Sequence, residues 1–303
     1  MVFEENDQVL LGSPNFGDLI GNEVLVTDDA THQVIIYDAE GRIKNNFGRY
    51  GRGPGDLENP TSAIKLSNGE IIVTEFKGRI SKFDSSGNFK TVTNADIVRL
   101  NNSKFLPNGK VLLIGGMHAP VDNFLLYLFN PESMNIEKRF FLLPFDPAEY
   151  DMHPLTLAEP SYAVVCGDKI VAAHSMLPEL FYYDFEGNLI ESMRLNSELF
   201  KQMEKLSTPS NPQKTMEAYG KASWIDNLFC ISDDEILIQF FANLIQNGNP
   251  ISLMLVNENG DVIDELPDMP EILFSNPATD TLFIRDQNSD SINQLLKSKL
   301  IID

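Results

Sequence analysis

Val34-Ile35-Ile36-Tyr37-Asp38-Ala39-Glu40-Gly41 is the phrase on which the fold turns. A β-branched and aromatic run ends in Asp, a Gly-bearing turn follows, and a second apolar run begins. The phrase returns at Ile80–Gly87, Tyr127–Ser133, Phe181–Gly187 and Leu253–Gly260. Its Asp or Asn falls at positions 38, 84, 130, 184 and 257, and the first two gaps are both 46 residues. A strand-and-turn repeat of roughly 40–50 residues is the signature of a propeller blade.

Each repeat divides into four short strands. In the second these are 61–66, 70–75, 79–83 and 88–93, joined by Ser67-Asn68-Gly69, Phe76-Lys77-Gly78 and Asp84-Ser85-Ser86-Gly87. The joints are turn formers, because Gly reaches positive φ freely and Asx side chains bond their own backbone. One period beyond Asn257 falls on Asp303, so a sixth repeat ends at the turn before its outermost strand. Residues 2–11 are then expected to supply that strand and close the ring. The expectation is an all-β single domain over 1–303, a six-bladed β-propeller of four-stranded antiparallel blades closed by the N-terminal strand.

The longer gaps, 54 and 73 residues, place extra chain at 145–160, 196–223 and 242–250. In a propeller these connections emerge on one face, which is therefore the expected working face. Leu199, Phe200, Met203 and Leu206 have helical spacing behind Asn196 or Ser197 as caps, so a short helix is expected over 196–206.

The net charge of −21, from 44 acidic and 23 basic residues, repels phosphate backbones and anionic lipid. Neither nucleic acid nor bare membrane is an expected partner. No apolar run approaches the roughly 18 residues of a membrane span. The first seven residues lack the basic and apolar segments of a signal peptide. Cys166 and Cys230 open matching repeats. Each reads as a small buried hydrophobe, and a bridge between neighbouring inner strands requires favourable geometry.

One connection is distinctive: Phe47-Gly48-Arg49-Tyr50-Gly51-Arg52-Gly53-Pro54-Gly55-Asp56-Leu57-Glu58-Asn59-Pro60. It resembles the blade linker of NHL-type propellers, and more closely the single such linker of the TolB-like six-bladed propellers of Gram-negative gut bacteria. The other linkers do not match it. The resemblance implies an extracytoplasmic protein, in the periplasm or at the cell surface, and brings no catalytic residues. The lipid-attachment Cys of that family has no counterpart here. The glycines do not form a phosphate cradle, since no Gly-x4-Gly-Lys-Ser/Thr run is present.

Candidate chemistry gathers in the expected working-face connections. Arg49, Arg52, Lys77 and Arg79 lie close together around the second repeat and would suit an anionic ligand. His118, His153 and His174, with Tyr150, Tyr219 and Trp224, would add polar and stacking contacts. Lactonase-type propellers hold a divalent cation through oxygen ligands from several blades. The matching positions here are Asp28, Glu75, Asn243 and Asp286, a hard donor set suited to Ca²⁺. No Gly-x-Ser-x-Gly or His-Glu-x-x-His motif occurs. The leading expectation is a monomeric, non-enzymatic scaffold that recognises a protein or carbohydrate. The alternative is a divalent-cation-dependent hydrolase or lyase with its site in the central channel.

Overall fold

The computed structural model describes residues 3–6, 9–97, 99–115, 123–150, 161–206, 211–242, 250–276, 281–285 and 295–299. The architecture is an all-β propeller of four-stranded antiparallel blades. The first sheet is β1 (Pro14–Ile20), β2 (Glu23–Asp28), β3 (Gln33–Asp38) and β4 (Ile43–Phe47). The second is β5 (Pro60–Lys65), β6 (Ile71–Glu75), β7 (Arg79–Phe83) and β8 (Phe89–Asn94). The third is β9 (Leu100–Phe105), β10 (Val111–Gly115), β11 (Phe124–Asn130) and β12 (Asn135–Leu142). The fourth is β13 (Ser161–Cys166), β14 (Lys169–His174), β15 (Glu179–Tyr183) and β16 (Leu189–Arg194). The fifth is β17 (Trp224–Ser232), β18 (Glu235–Phe241), β19 (Ile251–Asn257) and β20 (Val262–Met269). A three-stranded sheet follows, of β21 (Ile272–Asn276), β22 (Thr281–Arg285) and β23 (Leu295–Lys299).

The repeated phrase is an Asx turn joining the third and fourth strands of a sheet. Asp38 Oδ1 accepts from the N–H groups of Glu40 and Arg42, and Asp84 Oδ1 from those of Ser86 and Asn88. Asp184 and Asn257 repeat the pattern two and four residues on. The glycine that follows each of these four has φ between +71° and +87°, the left-handed region that other residues enter at a cost. The Asn130 turn has no glycine, and there Met134 takes φ +54° instead.

The chain falls into two compact units. One comprises Met1–Gly115, Tyr127–Lys138 and Ile272–Asp303; the other comprises Gly116–Leu126 and Arg139–Glu271. In the first unit the leading strand β5 packs beside β1, β2 and β9, and β1 beside β21. Leu25, Val34 and Ile36 meet Leu57, Ala63, Val73 and Phe83 in a buried cluster between the first two sheets. In the second unit β13 lies beside β17, and Cys166 and Cys230 join them in a disulfide with Cα atoms 5.3 Å apart. That bridge resolves the two readings of the cysteines.

Two expectations are corrected. The N-terminal segment makes no ladder with β23 among the described residues. Phe3, Val9 and Leu11 are buried with Val24, Val26, Ile35 and Tyr37 of the first sheet, and Leu273 of β21 packs against the same cluster. The Glu4 N–H donates to the Gly41 carbonyl at 2.8 Å, and Tyr37 Oη donates to the Glu4 carbonyl at 3.2 Å. The helix is also elsewhere, α1 at Pro212–Lys221 rather than 196–206. In 198–201 the backbone N–H groups are taken by side chains: Glu198 by Glu265, Phe200 by Ser197 and Lys201 by Ser223. Phe200 and Met203 are buried, Phe200 in the core of the second unit. By contrast, Asn211 caps Gln213 N–H and Pro212 pre-sets the first turn.

A candidate ligand-binding surface on the glycine-rich connection

The connection from β4 to β5 is held by contacts that only its own sequence permits. Gly48 has φ +93°, and a Cβ there would stand 2.7 Å from Leu57 Cδ1 and 2.9 Å from the His32 carbonyl oxygen. The loop doubles back, with Leu57 N–H donating to the Arg49 carbonyl at 2.8 Å and Gly51 N–H to the Leu57 carbonyl at 3.3 Å. Leu57 is the anchor, fully buried in the inter-sheet cluster.

Charged side chains brace this frame. Asp56 accepts from Gly53 N–H at 3.0 Å and from Arg49 Nε at 2.7 Å. Arg49 lowers the Asp56 carboxyl, and Arg52 does the same for Glu58. Arg79, from β7, donates to the Asp56 carbonyl at 3.0 Å and the Gly53 carbonyl at 3.1 Å. It also lies 3.3 Å from the buried Glu75. Burial raises the Glu75 carboxyl, partly offset by the Glu58 N–H and the Arg79 charge. Arg79 is therefore a brace inside the loop, while Arg49 and Arg52 are exposed and Lys77 stands on the neighbouring turn.

Tyr50 lies between the two exposed arginines and is 68% exposed, unusual for a ring of its size. Its ring centroid is 4.8 Å from that of His32, which backs it from the β2–β3 turn. Phe76 adds a second partly exposed ring. Tyr50 and Phe76 carry the apolar part of this surface and went unread in the sequence; the signal was an aromatic residue set between two arginines in a glycine-rich turn.

The remaining candidates are placed differently. Asp28 accepts from the N–H groups of Gly12, Ser13 and Thr31 at 2.7, 3.0 and 2.8 Å. Glu75 accepts from Glu58 N–H at 2.7 Å. Asp28 thus accepts backbone N–H groups through both oxygens and Glu75 through Oε2, while the buried Glu75 Oε1 faces Arg79 at 3.3 Å without a hydrogen bond. No group of three or more His, Cys, Asp or Glu arranged for a metal occurs among the described residues. His118, His153, Asn243 and Asp286 lie outside the described residues.

In the second unit, Tyr150 and His174 are buried, and both pack edge-on against Phe145. His174 Nδ1 accepts from Met176 N–H, and burial pushes the imidazole down to about 3. Tyr219 stacks on Trp224 at 4.1 Å and accepts the indole N–H at its carbonyl, pinning α1 to β17. These side chains are used in packing. Asp226 on β17, bonded to Gln239, is pushed up to about 6 by burial.

A family model described as DUF5128, 6-bladed beta-propeller, matches residues 2–141. No curated protein matches the chain. Among solved structures, a member of the DUF4221 family from Bacteroides vulgatus is 12% identical with TM-score 0.66, covering 98% of this chain and 94% of that one. A Bacteroides fragilis protein described as exported is 11% identical with TM-score 0.66, covering 94% and 82%. Virginiamycin B lyase from Staphylococcus aureus, in a catalytically inactive form with quinupristin, is 13% identical with TM-score 0.58, covering 95% and 80%. At these identities the likeness extends to architecture, and the chain is similar to propeller proteins over nearly its whole length.

Proposed function

We propose that the protein is a non-enzymatic binding module, a six-bladed propeller over residues 1–303 of TolB-like kinship, that captures a protein or glycan ligand. The observation that carries this is the braced glycine-rich connection, which holds Tyr50, Arg49 and Arg52 outward on a fixed frame. Recognition sites combine aromatic surface with a few placed polar groups, and a fixed frame lowers the entropy cost of binding. The cation-dependent alternative draws less support, because Asp28 and Glu75 accept backbone N–H groups. An extracytoplasmic location is supported by the disulfide, since such bridges persist in oxidising compartments. A monomer is part of the same reading.

The test is capture from a panel of glycans and peptides by the wild type and by an Arg49→Ala/Tyr50→Ala/Arg52→Ala variant. Loss of every wild-type ligand in the variant, with thermal unfolding unchanged, supports the reading. Full retention by the variant refutes it.

A further inference from the structure

We infer that the glycine-rich connection binds a saccharide bearing a single exposed carboxylate, such as a terminal hexuronate, with the sugar ring over Tyr50 and the carboxylate on Arg49 and Arg52. The inference rests on the binding-module reading above.

The number of charges comes first. Three cations at this surface have a carboxylate partner: Arg49 with Asp56, Arg52 with Glu58, and Arg79 with Glu75. The exposed Lys77 acts on Glu58 as well, and Asp29, which accepts from Asn59 of the connection at 3.1 Å, supplies a fourth carboxylate. The four cations and four carboxylates balance locally, and on a chain of net charge −21 the long-range field disfavours a polyanion more than a single carboxylate.

The donors come next. Arg49 meets Asp56 through Nε alone, and among the described residues its two terminal nitrogens have no protein partner. Arg52 meets Glu58 through Nε and one terminal nitrogen, which leaves the other. Each guanidinium is thus held from behind and presents N–H groups in the planar fork that suits a carboxylate.

The apolar contact is one ring wide. Tyr50 has His32 behind it and a largely exposed ring, so it offers a platform of pyranose size with a hydroxyl at its edge. A peptide finds less here. The backbone of the connection is already paired between Arg49, Gly51 and Leu57, so no open strand edge is available for a ladder.

The experiment titrates the full chain, followed by amide chemical shifts, with four probes. They are methyl β-glucuronide, its methyl ester, methyl β-glucoside and an acetylated, amidated Gly-Glu-Gly peptide. Ligands of this size reach dissociation constants on the order of 1 mM, so the glucuronide is expected there. The ester and the glucoside are expected at least about tenfold weaker, as two charge-assisted hydrogen bonds are lost. Tyr50→Ala should abolish binding, and Arg49→Gln or Arg52→Gln should each weaken it about fivefold, with the thermal midpoint unchanged. Equal affinity for glucuronide and ester overturns the carboxylate assignment. Tighter binding of the peptide overturns the saccharide. Silence of all four probes, with panel capture still lost in the triple variant, overturns this inference alone; silence with capture retained by that variant overturns the binding-module reading as well.

Discussion

The disulfide between Cys166 and Cys230 should set the stability of the second unit. The cysteines are 64 positions apart, and the loop between them contains β14, β15, β16 and α1. Opening the cross-link frees that loop in the unfolded chain. The chain-entropy relation for a closed loop of this length gives about 4 kcal/mol at 25 °C. The only tryptophan, Trp224, is buried on β17 in the same unit, so its fluorescence reports on the relevant region. With a urea m-value of about 2 kcal/mol/M, the midpoint should fall by about 2 M. Two routes separate entropy from packing. Unfolding under dithiothreitol keeps both sulfurs in the core, whereas Cys166→Ala/Cys230→Ala also removes packed atoms and should cost slightly more. A reduced protein whose midpoint shifts by less than about 0.5 M, a quarter of that expectation, would show that the unfolded chain gains little freedom and would refute the reasoning.

Three further outcomes are expected. Buried His174, held near 3 against an ordinary value near 6.5, stays neutral when folded and takes a proton when unfolded, so its contribution is lost as pH falls below 6.5. Asp226, raised to about 6, works in reverse, losing stability as pH rises from about 4 to 6. In urea unfolding between pH 4 and 7 these two contributions should therefore nearly cancel each other near pH 5 in the wild type, leaving the slope of the other carboxylates. Relative to that slope, stability in Asp226→Asn should drop by up to about 1.4 kcal/mol per unit on acidification, and in His174→Leu it should rise; parallel curves in all three would sink the assignment. Gly78 has φ +79°, and a Cβ there would stand 2.2 Å from the Ile97 carbonyl oxygen and 2.4 Å from that of Ala95, whereas at Gly109, φ +83°, it would meet nothing. Gly109→Ala should cost about 1 kcal/mol and Gly78→Ala at least about 3 kcal/mol in thermal unfolding, so equal costs would contradict the packing. Arg79→Ala strands the buried Glu75 carboxylate and two loop carbonyls, so it should cost about 3–5 kcal/mol and open residues 49–58 to proteolysis; an uncleaved, fully stable variant would deny Arg79 its bracing role.

What was legible in the sequence was local. Asp38, Asp84, Asp184 and Asn257 announce their turns because their oxygens reach only two and four residues ahead. The four-strand pattern follows from those turns. Arg49, Arg52, Lys77 and Arg79 were grouped from the sequence, yet their separate roles were hidden. Arg79 reaches carbonyls 23 and 26 positions earlier, a partnership no spacing rule encodes. The bridge across 64 positions was open for the same reason, since proximity of β13 and β17 is a tertiary fact. Helical spacing at 199–206 misled because Phe200 had a core to fill and Ser197 and Ser223 had N–H groups to bond. The cap at Asn211-Pro212 was the better signal.

The recurring Asx turn carries a consequence for the order of assembly. Each such turn closes a hairpin using bonds that span at most four residues, so it needs no other blade to form. Contacts between leading strands join residues tens of positions apart and carry the larger loop-closure cost. Folding is therefore expected to begin at the rim of each sheet and move inward. A residue lost at a rim turn should slow folding, while one lost between leading strands should chiefly hasten unfolding.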